Sequence, residues 1–163
     1  MMVDVNNNHK VKFLTDNNLG RLAKWLRLLG YDTSSYKKVS LLSLSNIARK
    51  EERIFLTSSR KNAGLKIFDN TILIHSSNIF EQLQELNAKL NLNFENAFTR
   101  CNLCNQLLRK IDKEKVVSLV PDYVYQTSDH FEICRNCGRI YWEGTHNQAI
   151  LDKFKEIFIT RDE

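Results

Sequence analysis

Residues 11–30 read VKFLTDNNLGRLAKWLRLLG, and this stretch decides the fold. Its apolar opening, residues 11–15, predicts a buried strand that ends at Asp16. Apolar residues then recur every three or four positions, which predicts an amphipathic helix that Gly30 ends. The periodic residues are Leu19, Leu22, Leu26 and Leu29. The stretch is therefore a strand, a tight turn and a helix.

The same alternation continues to about residue 98. Apolar residues at helical spacing predict a second helix around residues 44–48 and a third over residues 79–90. Apolar runs at Arg53–Thr57 and at residues 71–75 predict two more strands. Strands that alternate with helices form a mostly parallel sheet with helices on both faces. We therefore predict an α/β domain at about residues 10–98.

Open parallel sheets bind their ligands at the carboxyl ends of the strands. In this chain, Asp16 follows the first strand, and Ser58-Ser59-Arg60-Lys61 follows the strand Arg53–Thr57. Residues 1–99 also carry the positive surplus, with 14 Lys or Arg against 9 Asp or Glu, whereas residues 100–163 carry 10 of each. The surplus indicates either a phosphate-binding surface or a well-solvated face.

The overall composition indicates a soluble globular protein. The chain has 163 residues, of which 42% are hydrophobic and 26% charged, so it can bury a core and is not expected to be disordered. No apolar run approaches the roughly 20 residues that a membrane-spanning helix needs. The opening MMVDVNNNHK lacks the apolar core of a signal peptide. We therefore expect a cytoplasmic protein with no membrane contact, in which cysteines bind metal more often than they form disulfides.

Four cysteines form two CxxC pairs that lie 29 residues apart, Cys101-Asn-Leu-Cys104 and Cys134-Arg-Asn-Cys137-Gly138. Each pair can present two thiolates to one tetrahedral ion, and the glycine suits the tight turn that follows. Soft thiolates favour zinc, although the spacing also fits iron, and redox-active or unliganded thiol pairs are the alternative. Four sulfurs leave no open position for water, so we expect a structural zinc ion.

Two further patterns accompany the cysteines. Apolar runs at residues 116–120 and 123–125 predict strands of a zinc ribbon. Near the end of the chain, apolar residues at helical spacing predict an amphipathic helix at residues 147–163, through Ile150, Phe154, Ile157 and Phe158. Its apolar stripe either packs on the same chain or binds a protein partner.

Two long motifs resemble one known family. Residues 13–33, FLTDNNLGRLAKWLRLLGYDT, resemble the opening of the Mut-seven C-terminal RNase domain family. Residues 100–105, RCNLCN, then Val120-Pro121, then residues 134–146, CRNCGRIYWEGTH, resemble the zinc ribbon of the same family in the same order. The resemblance implies a PIN-like nuclease domain at residues 10–98, a zinc ribbon at residues 99–146 and an RNA substrate.

The resemblance also implies a catalytic metal site, from which this chain departs. PIN-like nucleases hold one or two divalent ions, usually magnesium or manganese, with several carboxylates at strand ends. The first of these acids corresponds to Asp16, which is either a metal ligand or the cap of the helix that follows it. Where two further acids are usual, residues 39–43 read VSLLS and residues 57–60 read TSSR. Asp32 is expected to fix a turn, and Asp69 could approach the site. Basic residues beside the serines would make the pocket favour phosphate, namely Arg60 and Lys61.

Other side chains are candidates for contact with RNA. Arg21, Lys24 and Arg27 recur every three residues along the first helix, either as a phosphate track or as its solvated face. Trp142 and His146 follow the second cysteine pair, where they either contact unpaired nucleotides or pack the ribbon against the first domain.

Three functions follow from these patterns. The first is a divalent-metal-dependent ribonuclease that works with a reduced set of acids around Asp16. The second is a nuclease-derived RNA-binding module without turnover, whose contacts would be Arg21, Lys24, Arg60, Lys61 and His146. The third is an adaptor that binds protein partners through the ribbon and the terminal helix.

Overall fold

The computed structural model of the protein describes residues 11–159. Residue 10 of the predicted α/β domain and residues 160–163 of the predicted terminal helix lie outside this range. The described strands are β1 Lys12–Thr15, β2 Asp32–Ser35, β3 Arg53–Thr57, β4 Thr71–Leu73, β5 Arg109–Ile111, β6 Phe131–Ile133 and β7 Ile140–Trp142. The helices are α1 Gly20–Leu28, α2 Leu41–Glu51, α3 Arg60–Ala63, α4 Ile79–Leu90, α5 Asp122–Thr127 and α6 Thr145–Ile159.

The first four strands form one parallel sheet in the order β2-β1-β3-β4, with helices on both faces. Alternate residues of β1 point to opposite faces, as in any strand. Phe13 packs into a cluster formed with α1, α4 and α6, whereas Leu14 packs with Leu44 of α2 and with Phe55. The predicted α/β architecture is confirmed, with β1 in the interior of the sheet.

The expectation that Asp32 fixes a turn is wrong, because Asp32 is the first residue of the edge strand β2. The sequence Asp-Thr-Ser-Ser lacks the apolar alternation by which strands are recognised. Thr33 is nevertheless fully buried. Its backbone N–H is satisfied by a side chain from a distant part of the sequence, which no local pattern reveals.

The ribbon is a three-stranded antiparallel sheet in the order β5-β6-β7. The strands predicted at residues 116–120 and 123–125 are wrong, because a 3-10 turn at Lys113–Val116 and the helix α5 occupy that region. Val116, Val120 and Val124 all bury their side chains in one cluster, although they lie in the 3-10 turn, in the turn that follows it and in α5. The valine content favoured a strand, but a spacing of four residues is not the alternation that a half-buried strand shows.

The terminal helix α6 packs on the α/β domain. Phe154 is fully buried and its ring lies 5.9 Å from that of Trp25, while Ile150 and Ile157 join the same cluster. The apolar stripe of α6 is therefore covered by the core of the same chain. Of the two expected alternatives, packing on the same chain is the one observed. The helix begins at Thr145, two residues before the predicted boundary. No helix within residues 11–159 is both long enough and apolar enough to cross a membrane.

Candidate functional site

The four parallel strands end together along one side of the sheet. Thr15 lies opposite Ser35 of β2 and Leu56 of β3, and Thr57 lies opposite Leu73 of β4. We call this side the carboxyl edge; it consists of the segments that follow the strands, residues 16–19, 36–40, 58–59 and 74–78. The side where the strands begin is the amino edge.

Asp16 lies at the carboxyl edge, after the interior strand β1, as predicted. Its side chain is only 6% exposed, and both carboxylate oxygens already have partners. The backbone N–H of Asn18 donates to Oδ1 at 3.0 Å, and the hydroxyl of Thr57 donates to Oδ2. Asp16 is thus the cap of the 3-10 turn Asn17–Leu19 and a link between β1 and β3.

No neighbouring strand of this sheet brings a second acid to the carboxyl edge directly after its last residue. The residues that follow β2, β3 and β4 are Tyr36, Ser58 and Ile74. Asp69 precedes β4, and its carboxylate lies 3.4 Å from Arg49 at the end of α2, so it belongs to the amino edge. The expectation that Asp69 could approach Asp16 is therefore wrong, because parallel strands place residues before and after them at opposite edges.

The four cysteine sulfurs form a compact cluster in the ribbon. Within residues 11–159 they are the only group of three or more Cys, His, Asp or Glu ligand atoms that converge, all within 4.8 Å of one another. The sulfurs of Cys101 and Cys137 lie 3.8 Å apart. A tetrahedral site with Zn–S bonds of about 2.3 Å has sulfur separations of about 3.8 Å. The chemistry and the spacing of the donors therefore fit one zinc ion.

The surroundings of Cys101 favour its thiolate. Burial alone would raise the pKa of this thiol, but the hydroxyl of Tyr141 donates to the sulfur at 3.1 Å and the backbone N–H of Cys104 donates at 3.3 Å. These hydrogen bonds lower the pKa of Cys101 to about 7. At the second pair, Gly138 has φ 73°, the left-handed backbone that the turn after the knuckle requires.

The first knuckle, residues 101–105, docks on the amino edge of the parallel sheet. Arg27 at the end of α1 is 7% exposed and bridges the two units. Its Nε donates to the carbonyl of Thr33 at 2.8 Å, and its Nη1 donates to the carbonyls of Asn102 and Leu103, each at 3.1 Å. A place on the solvated face of α1 was one of the two roles expected for Arg27. The structure excludes that role, because Arg27 is buried.

Asn105 completes this contact, because its side-chain amide makes a hydrogen bond to the edge strand β2 that a neighbouring strand would otherwise make. Its Oδ1 accepts the backbone N–H of Thr33 at 2.9 Å, and its Nδ2 donates to Asp32 at 2.7 Å. Arg53 also donates to Asp32, at 2.7 Å. Burial would raise the pKa of Asp32, but the hydrogen bonds from Arg53 and Asn105 outweigh burial and lower this pKa. The cysteine cluster thus lies at the opposite edge of the sheet from Asp16.

These two features, a parallel sheet that ends at Asp16 and a four-cysteine ribbon, lie in the part of the chain that a family comparison covers. Residues 11–154 match the model of the Mut7-C RNAse domain. The chain belongs to the Mut7-C RNAse domain family. No curated protein matches the chain, and no solved structure does. The match begins just before β1 and ends within α6, so the resemblance predicted from the two motifs is confirmed.

In this Mut7-C domain, four basic side chains surround the carboxyl edge. Arg60 and Lys61 begin α3 directly after β3, and Arg21 lies in the first turn of α1, with Lys24 one turn further along the helix. All four are exposed, and none has an ion-pair partner among residues 11–159. At the amino edge, by contrast, Arg53 is paired with Asp32. The carboxyl edge therefore carries unpaired positive charge beside Asp16.

The structure separates His146 from this basic group. His146 is exposed in the first turn of α6 and lines a cavity of about 830 Å³ between the ribbon and the α/β domain, together with Trp142 and several carboxylates. Burial, and then the neighbouring Glu143, raise the pKa of Glu132 in the same cavity. The lining has five carboxylates against three basic residues, so it is less favourable to phosphate than the surface at the carboxyl edge; the basic residues are Arg100, Lys110 and Lys113.

The contact between the knuckle and the amino edge is the feature that sequence reasoning missed. Its one local signal is the position of Asn105, directly after the first CxxC pair, in a left-handed conformation with φ 65°. Asn adopts this conformation more readily than most residues, so it marks a turn there. Nothing in the sequence indicates that its amide pairs with Thr33.

Proposed function

We propose that this Mut7-C domain binds RNA at its carboxyl edge and does not hydrolyse it efficiently. One observation carries the proposal: a single, nearly buried carboxylate follows strands β1 to β3, while the basic side chains around it have no ion-pair partner among residues 11–159. Membership of a ribonuclease-type family makes RNA the expected ligand.

The carboxyl edge is poorly suited to a catalytic metal ion. Magnesium requires near-octahedral oxygen ligands, and two-metal hydrolysis needs several carboxylates that can share the ions. Asp16 is only 6% exposed, and beside its hydrogen bonds to Asn18 and Thr57 it could offer a cation no more than the remaining lone pairs of one carboxylate. Ser58 and Ser59 offer neutral hydroxyls, which bind magnesium more weakly than carboxylates do.

The same edge is well suited to phosphate. Most contacts between proteins and nucleic acids go to phosphate and sugar, and basic side chains gain affinity there through the release of counterions. Arg21, Lys24, Arg60 and Lys61 supply four such side chains around the end of β1. His146 does not join this surface, because it lies in the carboxylate-lined cavity beside the ribbon.

A second candidate is hydrolysis with magnesium or manganese at Asp16. The observation that favours it is the position of Asp16, after the interior strand β1, where the family resemblance implies the first metal-binding acid. In that case the ion would take its remaining ligands from water and from the RNA phosphates.

One experiment separates the two candidates. Labelled mixed-sequence RNA is incubated with manganese and either the unaltered protein or Asp16→Asn, which keeps the shape of the side chain and removes its charge. We expect no manganese-dependent cleavage beyond that of the variant, together with RNA binding that weakens steeply as salt rises. Cleavage that Asp16→Asn abolishes would establish hydrolysis instead. Absence of binding at low salt would exclude both.

We further infer that the ribbon holds zinc as a structural ion, and that the protein works in the cytoplasm. Four protein thiolates would occupy every position of a tetrahedral ion and leave none for a catalytic water. The four sulfurs lie within 4.8 Å of one another, as one zinc ion requires, and a reducing compartment keeps such cysteines available to metal. Elemental analysis of freshly purified, reduced protein, with one zinc expected per chain, tests the first inference.

A further inference from the structure

The loop between β2 and α2 carries two lysines that no motif assigns to a function. Lys37 and Lys38 follow the end of β2, and both are exposed. Within residues 11–159 neither has an ion-pair partner. Because β2 lies beside β1, this loop borders Asp16 on one side, just as Arg60 and Lys61 border it on the side of β3.

The two basic segments are arranged alike around β1. Each is followed or preceded by a serine that caps a helix: Ser40 accepts the backbone N–H of Ser43 at 3.1 Å, and Ser59 accepts that of Asn62 at 3.2 Å. Neighbouring strands lie about 4.8 Å apart, so the ends of β2 and β3 are separated by about 10 Å. Two adjacent pairs of cations therefore face each other across the end of one strand.

Between the two pairs lies a single buried carboxylate, that of Asp16, whose oxygens accept hydrogen bonds from Asn18 and Thr57. The four exposed cations outnumber this one charge, and none of them forms an ion pair with it or with another carboxylate among residues 11–159. Such a surface gains from a polyanion that spans it, because each phosphate contact releases condensed counterions.

An aromatic side chain lies next to the lysine pair. Tyr36 follows the last residue of β2 and is 36% exposed. Aromatic rings beside a basic groove stack on the bases of single strands, whereas the bases of a duplex are already stacked and unavailable. Tyr36 also borders a groove along β2 that the first knuckle lines, and the combination of this partly exposed ring with two cations favours a single-stranded ligand.

We propose that Lys37 and Lys38 form the second half of a phosphate clamp with Arg60 and Lys61, and that the clamp holds single-stranded RNA whose backbone crosses the end of β1. Tyr36 stacks on one base of that strand. This inference rests on the proposed function, because it specifies the form of RNA that binds and adds residues to its site.

The test compares two double variants of equal charge change. Lys37→Gln with Lys38→Asn removes the loop charges; asparagine is chosen because Lys38 has φ 56°, a left-handed conformation that asparagine tolerates. The control is Arg109→Gln with Lys110→Gln, an adjacent exposed pair in β5 of the ribbon. Circular dichroism and thermal melting first establish that both variants are folded.

Binding of a labelled single-stranded oligoribonucleotide is then measured against salt. Each phosphate contact on a single strand contributes about 0.7 to the slope of log affinity against log salt, so the loop variant should lose about 1.4 in slope and roughly 25-fold in affinity at about 0.1 M salt. The control should keep the slope of the unaltered protein. A duplex of the same length should bind the unaltered protein more weakly, and Tyr36→Leu should weaken single-strand binding by about 5-fold or more.

The outcomes distinguish this inference from the function on which it rests. If Arg60→Gln with Lys61→Gln loses slope and affinity while the loop variant keeps both, the clamp is wrong and RNA binding at the carboxyl edge stands. If the duplex binds as tightly as the single strand, the ligand class is wrong. If the unaltered protein binds no RNA, the proposed function fails, and the clamp fails with it.

Discussion

At the scale of single residues, Asp16 has two possible duties that make different demands on its carboxylate. A metal ligand must lie where a hydrated cation can reach it, whereas a cap and a cross-strand link can be buried. In this protein the oxygens accept hydrogen bonds from Asn18 and Thr57 within a nearly buried site. The structure therefore favours the second duty.

This assignment makes a prediction about stability. Asp16→Ala removes both acceptors and leaves the hydroxyl of Thr57 without its partner, so the free energy of unfolding should fall by about 1–3 kcal/mol. Asp16→Asn keeps one acceptor and should cost less. Urea denaturation, with and without manganese, measures both effects. A marked gain in stability of the unaltered protein on adding manganese, absent from both variants, would show that the carboxylate binds metal.

Asp32 gives a second prediction, which depends on pH. Its pKa is lowered in the folded protein, so its ionised form stabilises the fold above the unfolded value of about 3.9. This contribution is lost as the pH falls through the lowered folded pKa. Asp32→Asn should therefore reduce the free energy of unfolding by about 1–3 kcal/mol near neutral pH, because it removes one of the two carboxylates paired with the buried Arg53 and leaves only Glu51.

The measurement is a series of urea unfolding curves of the unaltered protein and Asp32→Asn at decreasing pH. The difference between them should be constant above about pH 5 and shrink below about pH 3.9. A difference that stays the same throughout the acidic range would mean that Asp32 acts through its shape and hydrogen bonds, without a contribution from its charge.

At the scale of elements, the end of α1 and the first knuckle form one unit through Arg27. Its guanidinium donates hydrogen bonds to the carbonyls of Thr33 in β2 and of Asn102 and Leu103 in the knuckle. Burial lowers the pKa of Arg27, against the opposing effect of the nearby cysteines. These hydrogen bonds hold the ribbon against the parallel sheet without a large apolar interface.

The corresponding prediction compares two arginines of the same helix. Arg27→Met preserves the length of the side chain but leaves three carbonyls without a donor, so it should lower the free energy of unfolding by about 2–4 kcal/mol. Arg21→Met, on the exposed face, should change it by no more than about 0.5 kcal/mol. Urea denaturation of the zinc-loaded proteins measures both. Equal stabilities would mean that Arg27 does not join the two units.

At the scale of the whole molecule, the cysteine cluster and the parallel sheet are connected through one segment of the chain. The knuckle that holds Cys101 and Cys104 also provides Asn105, whose amide accepts the backbone N–H of Thr33. Structural zinc supplies folding energy to the segments that bind it, and its removal unfolds them. Loss of the ion should therefore affect β2 as well as the ribbon.

Removal of the metal with a chelator tests this coupling by hydrogen exchange. The amides of β5 to β7 should lose protection, and so should the amide of Thr33, whereas the amides of Leu83 and Leu86 in the buried face of α4 should keep theirs. Adding zinc back should restore the original pattern. Unchanged protection at Thr33 in the metal-free protein would show that the sheet is independent of the ribbon.

What could be predicted from the sequence was local, and what could not was long-range. The strand before Asp16 and the spacing of the four cysteines are short patterns. The structure contains the predicted strand and brings the four sulfurs together. Thr33 and Asn105 are 72 residues apart, and their hydrogen bond depends on the whole arrangement of the two units. The strand β2 is held in part by that contact, so its polar sequence alone gave no sign of it.

The position of Asn105 against β2 has a consequence for self-association. An edge strand with free backbone N–H and C=O groups is a template on which a second molecule can add a strand. Here the amide of Asn105 occupies that position at Thr33 and leaves less of the edge open. If removal of a bound metal ion displaced Asn105, the backbone of the edge strand β2 would be exposed at Thr33. We expect the metal-free protein to aggregate by pairing of these exposed strand edges.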